Sequence, residues 1–516
     1  MKKIFLFGFV TFVAMQAQAQ DNINLDTYIG AQLATEDLNG TARYVGMGGA
    51  LEALGADITT MASNPAGIGL FRHNEVSGSF GLVMQQDGKS FQDGSKTNAS
   101  FDQLGIVLSS RTGRNSYLNF GFNFHKSRNF DYVLSAADKA INGSSQNRQT
   151  TIKGVRGDLD TYWGESQIDY LYYNMIEEPD HSLSTVDAKE YEFDRAHTGY
   201  IGEYDFNLSG NINNRVFLGL TVGVKDVHYS AYSEYFEQLN SITTPSLTSV
   251  LITDDHHITG TGFDIKAGVI FRPVEESPFR LGLSVSTPTF YRLKTSNTTR
   301  IGDVAQMGYD AKFAFYTPWK FGLSAGHTIG REVALGVSYE LADYSTNDMR
   351  AITEYNYDEW SGYGGYESCS DPVMKRHTEK TLKTVSTLKL GAEYKPDSKL
   401  AIRLGYNYVS PMYEENGVRD QTLNSPGTYM ASSTDYTNWK ATHRVMAGAG
   451  FTFDNLRLDV AYQCSLRNCD FYPFMNGISD QYYDADNKLQ TLTNECRGIS
   501  VKDNRHQLLC TLTYSF

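Results

Sequence analysis

The chain has 516 residues, with 45 Lys and Arg against 59 Asp and Glu, a formal charge of −14. An acidic balance with no basic stripe argues against a nucleic-acid partner. With 46 Gly, 34 Tyr and 28 Phe against 12 Pro, the composition fits an all-β exported or outer-membrane protein.

The first element is an export signal: Lys2 and Lys3 precede an apolar stretch from Ile4 to Met15, and Ala17-Gln18-Ala19 forms a small-x-small cleavage site. Cleavage after Ala19 leaves a mature chain beginning at Gln20, and losing the two lysines takes the charge from −14 to −16. No cysteine at the cleavage site offers a lipid anchor. No later run approaches the roughly 18 apolar residues that a spanning helix needs.

Residues 20–74 differ from the rest. Gly40 to Ala50 is glycine-rich, Leu51 to Gly55 reads as helical, and Asn64-Pro65-Ala66-Gly67 reads as a sharp turn into the first strand. Gly46-Met47-Gly48-Gly49-Ala50 has no strand before it and no βαβ unit after it, so close backbone packing explains it better than phosphate binding. The segment is expected to form a plug, or hatch, inside the lumen.

From residue 75 onward, period-two alternation repeats. It is clean at Val333, Leu335, Val337, Tyr339 and Leu341 against Ala334, Gly336, Ser338, Glu340 and Ala342, and it recurs from Val216 and from Leu400. Fourteen such segments fall near 75–86, 100–110, 116–126, 198–211, 214–228, 258–272, 278–290, 311–328, 331–344, 382–396, 398–410, 440–453, 455–467 and 504–516. Tight links alternate with long ones at 87–99, 127–197, 229–257, 291–310, 345–381, 411–439 and 468–503. An even strand count, links sorted by side and a terminal Tyr514-Ser515-Phe516 predict an all-β fold: a 14-stranded antiparallel transmembrane barrel, residues 75–516, in the bacterial outer membrane.

On these strands Glu203, Asp205, Asp264, Lys266, Lys312, Glu340, Arg403, Arg457 and Asp459 fall on the face expected to line the lumen. Within the longest loop, residues 156–178 show the spacing of a short amphipathic helix. Of five cysteines, Cys469 and Cys496 are the candidate pair in an external loop, while Cys464 and Cys510 read as small hydrophobes buried on apolar strand faces.

Several motifs resemble the long-chain fatty-acid and aromatic-hydrocarbon transporters of bacterial outer membranes, in the form common among Bacteroidetes. They are Gly40-Thr41-Ala42-Arg43, Gly46 to Ala50, Asn64 to Gly67, Thr287-Pro288-Thr289-Phe290-Tyr291 and Thr317-Pro318-Trp319-Lys320. The resemblance implies passive, non-enzymatic passage without cofactor or metal. A hydrophobic molecule would bind an apolar pocket beside the plug and leave sideways through a kinked third strand, Leu118 to Phe124, with Gly121 as candidate kink.

Met47, Leu51, Leu54, Phe71 and Arg43 are the candidate substrate-binding residues, and Asn64, Pro65, Ala66, Gly67 and Gly121 the candidate gate. Expected partners are the hydrophobic ligand, outer-membrane lipid and lipopolysaccharide, and the barrel-assembly machinery, with a monomeric barrel. No basic cluster stands out to hold a carboxylate, though Arg43, Arg72 and Lys320 could act singly.

Three other readings compete. A haem receptor would use His256-His257, and a hydrolase would need a nucleophile with base and orienting partner, which no motif displays. An adhesion barrel would need no plug.

Overall fold

The computed structural model describes residues 27–139, 141, 143–144, 187–240, 249–302, 305–358, 363–419, 435–475, 478–483 and 487–516. The export signal expected at 1–19, the start of the plug expected from residue 20 and the helix expected at 156–178 lie outside the described residues.

Fourteen antiparallel strands close a barrel. They are β1 (Glu75–Gln85), β2 (Thr97–Arg111), β3 (Tyr117–Asn129, resuming as Tyr132–Lys139), β4 (Ala188–Ile212), β5 (Val216–Leu239) and β6 (Ser249–Phe271). β7 (Arg280–Ser286 and Phe290–Ile301), β8 (Ala305–Tyr316 and Lys320–Ile329), β9 (Val333–Asp343 and Asp348–Asp358) and β10 (Tyr363–Ser370 and Thr384–Tyr394) are each interrupted once. β11 (Leu400–Val409), β12 (Tyr436–Phe453), β13 (Leu456–Tyr472) and β14 (Ile499–Ser515) complete the wall. β1 pairs with both β2 and β14, so the sheet closes on itself.

The barrel is inside-out relative to a soluble protein. Phe80, Leu283 and Leu404 are each more than 60% exposed on the outer face, while Asn119, Asn123, Thr221 and Thr511 are buried within. Each Å² of such apolar surface costs about 25 cal/mol in water and nothing in lipid. A closed antiparallel barrel with this belt spans the outer membrane. The short links lie at one end; that between β4 and β5 turns on Asn213 and Asn214, both at positive φ (52° and 53°), as a two-residue hairpin requires.

The strands outrun their sequence signal. β4, β5 and β6 are 25, 24 and 23 residues long, so much of what reads as loop at 229–257 continues the ladder. Beyond the lipid belt the outward residues no longer need to be apolar, and alternation fades while the hydrogen bonds persist.

A second departure concerns Lys312, which is exposed on the outer face rather than lumenal. Its strand is interrupted at Thr317-Pro318-Trp319, and below that break Phe321 and Leu323 face out, whereas above it Phe313 and Phe315 face in. The neighbouring break at Thr287-Pro288-Thr289 does the same: Leu281 and Leu283 face out below, Tyr291 and Leu293 face in above. Proline has no N–H for the ladder. Threonine hydroxyls help bridge the seam, with Thr289 N–H donating to Thr317 Oγ1 (2.8 Å) and Ile265 N–H to Thr287 Oγ1 (3.0 Å).

Residues 27–74 occupy the lumen as helices α1 (Thr27–Ala34) and α2 (Ala42–Gly46) and two 3-10 turns, Ile58–Met61 and Pro65–Leu70. They rest on a row of wall glycines. Gly326, Gly336, Gly391 and Gly405 stand opposite one another across β8 to β11. A Cβ at Gly336 would fall 2.0 Å from the Ala50 carbonyl oxygen, one at Gly391 2.3 Å from that of Met47, and one at Gly405 2.3 Å from the Gly48 nitrogen.

Candidate functional site

Asn64, Pro65, Ala66 and Gly67 form an anchor. The Asn64 Oδ1 caps the turn by accepting from Ala66 N–H (3.2 Å), and Ser209 Oγ donates to the Pro65 carbonyl (2.8 Å). Gly219 and Gly268 leave room for this backbone at the wall.

Met47, Leu51 and Leu54 are buried with Leu38, Val45, Met446 and Leu509. Phe71 packs with Ile58, Met61, Ile68 and Val107. Arg43 is paired with Glu393 (3.3 Å) and donates to the Ala56 carbonyl. These five side chains join plug to wall, and none lines the cavities described below.

Gly121 is in unbroken register with Val107 on one side and Asn207 on the other. Its missing Cβ makes room for Met61, whose Cε would lie 2.1 Å from it. The irregularity of β3 lies higher. Pairing with β2 ends at Gln103 opposite His125, while β1 continues on β2 up to Met84 opposite Thr97.

The plug segment takes over the abandoned edge. Asp37 N–H donates to the Ser127 carbonyl (2.8 Å), and Asn129 N–H donates to Asp37 Oδ2 (3.0 Å). Asn39 Nδ2 reaches both the Lys126 carbonyl (3.2 Å) and Asp102 Oδ1 on β2 (2.9 Å). Lys126 Nζ donates across the gap to Ser100 Oγ (3.0 Å). Buried backbone groups need partners, so the wall here is completed by the plug.

Above the plug lies a cavity of about 200 Å³. Tyr28 of α1 stacks on Tyr413 at 5.5 Å, Tyr132 and Trp439 meet in a T-shaped pair at 5.7 Å, and Arg467 lies 3.7 Å over the Trp439 ring. Helix α3 (Pro372–Thr381), inserted in β10, holds α1 in place: Thr27 Oγ1 lies 2.8 Å from His377 Nδ1 and 3.0 Å from Thr378 Oγ1. A second void, about 60 Å³, shares Arg467 and Arg505 with the first and is bounded by Val83, Asp102 and Asn129 at the β2/β3 gap.

Where the two voids meet, β3, β12, β13 and β14 converge Arg128, Arg444, Arg467 and Arg505. The carboxylates answering them are Asp37, 2.9 Å from Arg128 and 3.9 Å from Arg444, and Asp503, 2.6 Å from Arg467 and 2.9 Å from Arg505. Among the described residues, four guanidiniums pair with two carboxylates here, which leaves local positive charge. No stretch of sequence displays this cluster, because its members come from four strands.

Deeper in the lumen, ligand atoms of His125, Glu203 and Asp205 lie within 4.8 Å of one another. The carboxylates are already engaged: Lys266 bonds Glu203 and sits 3.2 Å from Asp205, and Lys225 is 3.2 Å from Glu203. Asp264 and Glu36 extend the network at 2.8 Å from Lys266 and 2.6 Å from Lys225. Ammonium groups thus supply the positive charge a metal ion would bring, and the set fits an ion-pair network.

The imidazoles of His256 and His257 point to opposite faces of β6. His256 lines the cavity and meets Thr295 Oγ1 at 2.8 Å, while His257 is outside with Ser230 and Asp255. Adjacent strand residues cannot both ligate one haem iron. Ser230, His257 and Asp255 do fall in line, at 2.9 and 3.0 Å. The serine, however, sits mid-ladder between Thr198 and His257, where neighbouring N–H groups are committed to pairing and none is left for an oxyanion.

No family model matches the chain, and no curated protein matches it. Among solved structures, the toluene transporter TbuX of Ralstonia pickettii is 11% identical, covering 93% of this chain and 99% of its own, with a TM-score of 0.47. A FadL homologue of Pseudomonas aeruginosa is 12% identical over 94% and 100%, at 0.48. The toluene transporter TodX of Pseudomonas putida is 12% identical over 93% and 99%, at 0.44. The strand count and closure stand on the chain's own pairing.

Proposed function

We propose that this barrel carries small hydrophobic molecules, fatty-acid-like or aromatic, inward across the outer membrane without chemistry or energy input. The ligand enters between the external strand extensions and binds in the aromatic cavity beneath them, with any anionic end toward the arginines. It leaves sideways between β2 and β3. An apolar molecule gains nothing from a polar lumen but about 25 cal/mol per Å² on reaching lipid.

The observation that carries this reading is the β2/β3 gap, where Asp37 and Asn39 of the plug complete the wall beside the second void. Moving that short segment would free the edge of β3 without unfolding the barrel. In this reading Met47, Leu51, Leu54, Phe71 and Arg43 seat the plug, Asn64 to Gly67 anchor it, and Gly121 accommodates it. The barrel acts as a monomer inserted by the barrel-assembly machinery, with lipopolysaccharide around its outer half.

The test is mass spectrometry of molecules extracted from protein purified in mild detergent and incubated with palmitate or toluene. The wild type is expected to retain one of them, Trp439→Ala to lose it, and Arg444→Gln to lose palmitate alone. Asn39→Ala with Asp102→Ala should speed delivery in reconstituted vesicles. A wild-type barrel that stays empty with both probes would overturn the reading.

A further inference from the structure

Above the Thr-Pro seam, the outer face of β6 to β9 is arranged in tiers. The lowest is aromatic: Phe263, Phe290 and Tyr316 stand side by side, with centroids 5.3 and 4.9 Å apart. Trp319, in the break just below, is half exposed. Below the seam the outer face is apolar, with Leu283, Phe321 and Leu323 exposed. Such an aromatic row marks the membrane–water interface.

Two residues higher the face turns basic. Arg292 stands opposite Thr261 and Ala314, and Ala314 opposite Arg350. Arg350 lies 4.8 Å over the Tyr316 ring and is paired with Asp348 (2.6 Å). In the next tier Lys294 and Lys312 are directly opposed. Like charges facing each other across a ladder are destabilising. Asp310 answers Lys294 at 3.5 Å, and Lys312 has no ion-pair partner among the described residues.

We propose that this patch binds the phosphate of a phosphorylated lipid headgroup in the outer leaflet. The tiers match such a molecule from acyl chain to headgroup: apolar wall, aromatic row, then the cations Arg292, Arg350, Lys294 and Lys312. Arginine supplies paired donors to phosphate oxygens and lysine a compact charge. A shared anion also removes the cost of the Lys294–Lys312 opposition. The proposal rests on the long-loop end of the barrel facing outward, and it is independent of what the lumenal cavity carries.

The probe is a diglucosamine lipid bearing two phosphates, compared with the same lipid after their removal. Each is titrated onto the full-length barrel in uncharged detergent and followed by native mass spectrometry. The wild type should bind the phosphorylated lipid at a concentration at least tenfold lower. Lys294→Gln with Lys312→Gln should abolish that preference, Lys294→Arg with Lys312→Arg should keep it, and Lys399→Gln in a short turn should change nothing.

Thermal unfolding supplies a second reading that a folding defect would not mimic. Without lipid, Lys312→Glu should raise Tm by relieving the opposed charges. With phosphorylated lipid, the wild-type Tm should rise while that of Lys312→Glu should not. Equal binding of both lipids by the wild type, or a preference surviving in the double Gln variant, overturns the proposal. Palmitate retention in the cavity should be the same in all these variants, so failure here is distinguishable from failure of the transport reading.

Discussion

Replacing Gly336 by Ala tests whether the plug rests on the glycine row. The new Cβ would meet the Ala50 carbonyl oxygen at 2.0 Å, where ordinary carbon–oxygen contacts begin near 3.3 Å, so one partner must retreat by about 1.3 Å. The wall cannot, because Gly336 is laddered to Gly326 on one side and Gly391 on the other. The plug must yield, at a cost of about 1 to 3 kcal/mol typical of overpacking. That multiplies the population of displaced plug by about 5 to 150. Single-channel recording in planar bilayers should show more frequent or larger ion conductance, while strand content by circular dichroism is unchanged. Gly78→Ala is the control, since its Cβ would find Leu104 at an ordinary 3.8 Å. Gly336→Ala conducting like the wild type and like Gly78→Ala would refute the reasoning.

Lys389→Met leaves Glu52 of the plug without its 2.7 Å partner, a loss of about 3 to 5 kcal/mol for a broken buried pair. Adding Glu52→Gln should restore much of it, as thermal unfolding of both variants would check. Asn64→Ala removes the cap on the Pro65–Leu70 turn and should cost about 0.5 to 2 kcal/mol, read as a lowered Tm and as proteolysis of the plug at lower protease concentration. Burial pushes the Cys496 thiol up to about 12, so at pH 8 almost none is thiolate. A water-soluble maleimide should label exposed Cys369 in minutes and leave Cys496 unlabelled until denaturation. Cys469 and Cys496 are not joined by a disulfide, so a non-reducing mass showing them linked would contradict the structure.

Much of the barrel was legible because lipid imposes a one-residue rule. Each strand that crosses the belt must alternate, so β5, β9 and β11 can be recognised from their own residues. The rule lapses outside lipid, which is why the upper halves of β4 to β6 passed as loop. It also carries no information about phase slips, and a lumenal position was therefore expected for Lys312. Cys464 and Cys510 have outward positions, half-buried and exposed respectively, because an apolar face on this barrel is an outer face.

The plug segment announced itself by its glycines and by Asn64-Pro65, but its purpose within the lumen did not. An apolar residue such as Met47 or Leu51 reads the same whether it lines a pocket or fills a contact. Only the facing row of Gly336, Gly391 and Gly405, each unremarkable in its own strand, shows that those side chains are packed solid. The cavity, the arginine cluster and the β2/β3 gap depend on distance in space between residues far apart in the chain. Asp37 completes the edge of β3 some ninety positions away (Asp37 to Asn129, 92 residues), and Arg128 and Arg505 line one cavity only because closure of the barrel brings β3 and β14 to the same lumen. By itself the sequence determined which faces meet lipid, since that demand acts on one residue at a time. The tertiary structure alone decided where the lumen is filled, where it is hollow and where its wall is borrowed, since each of those is a relation between surfaces that no single strand encodes.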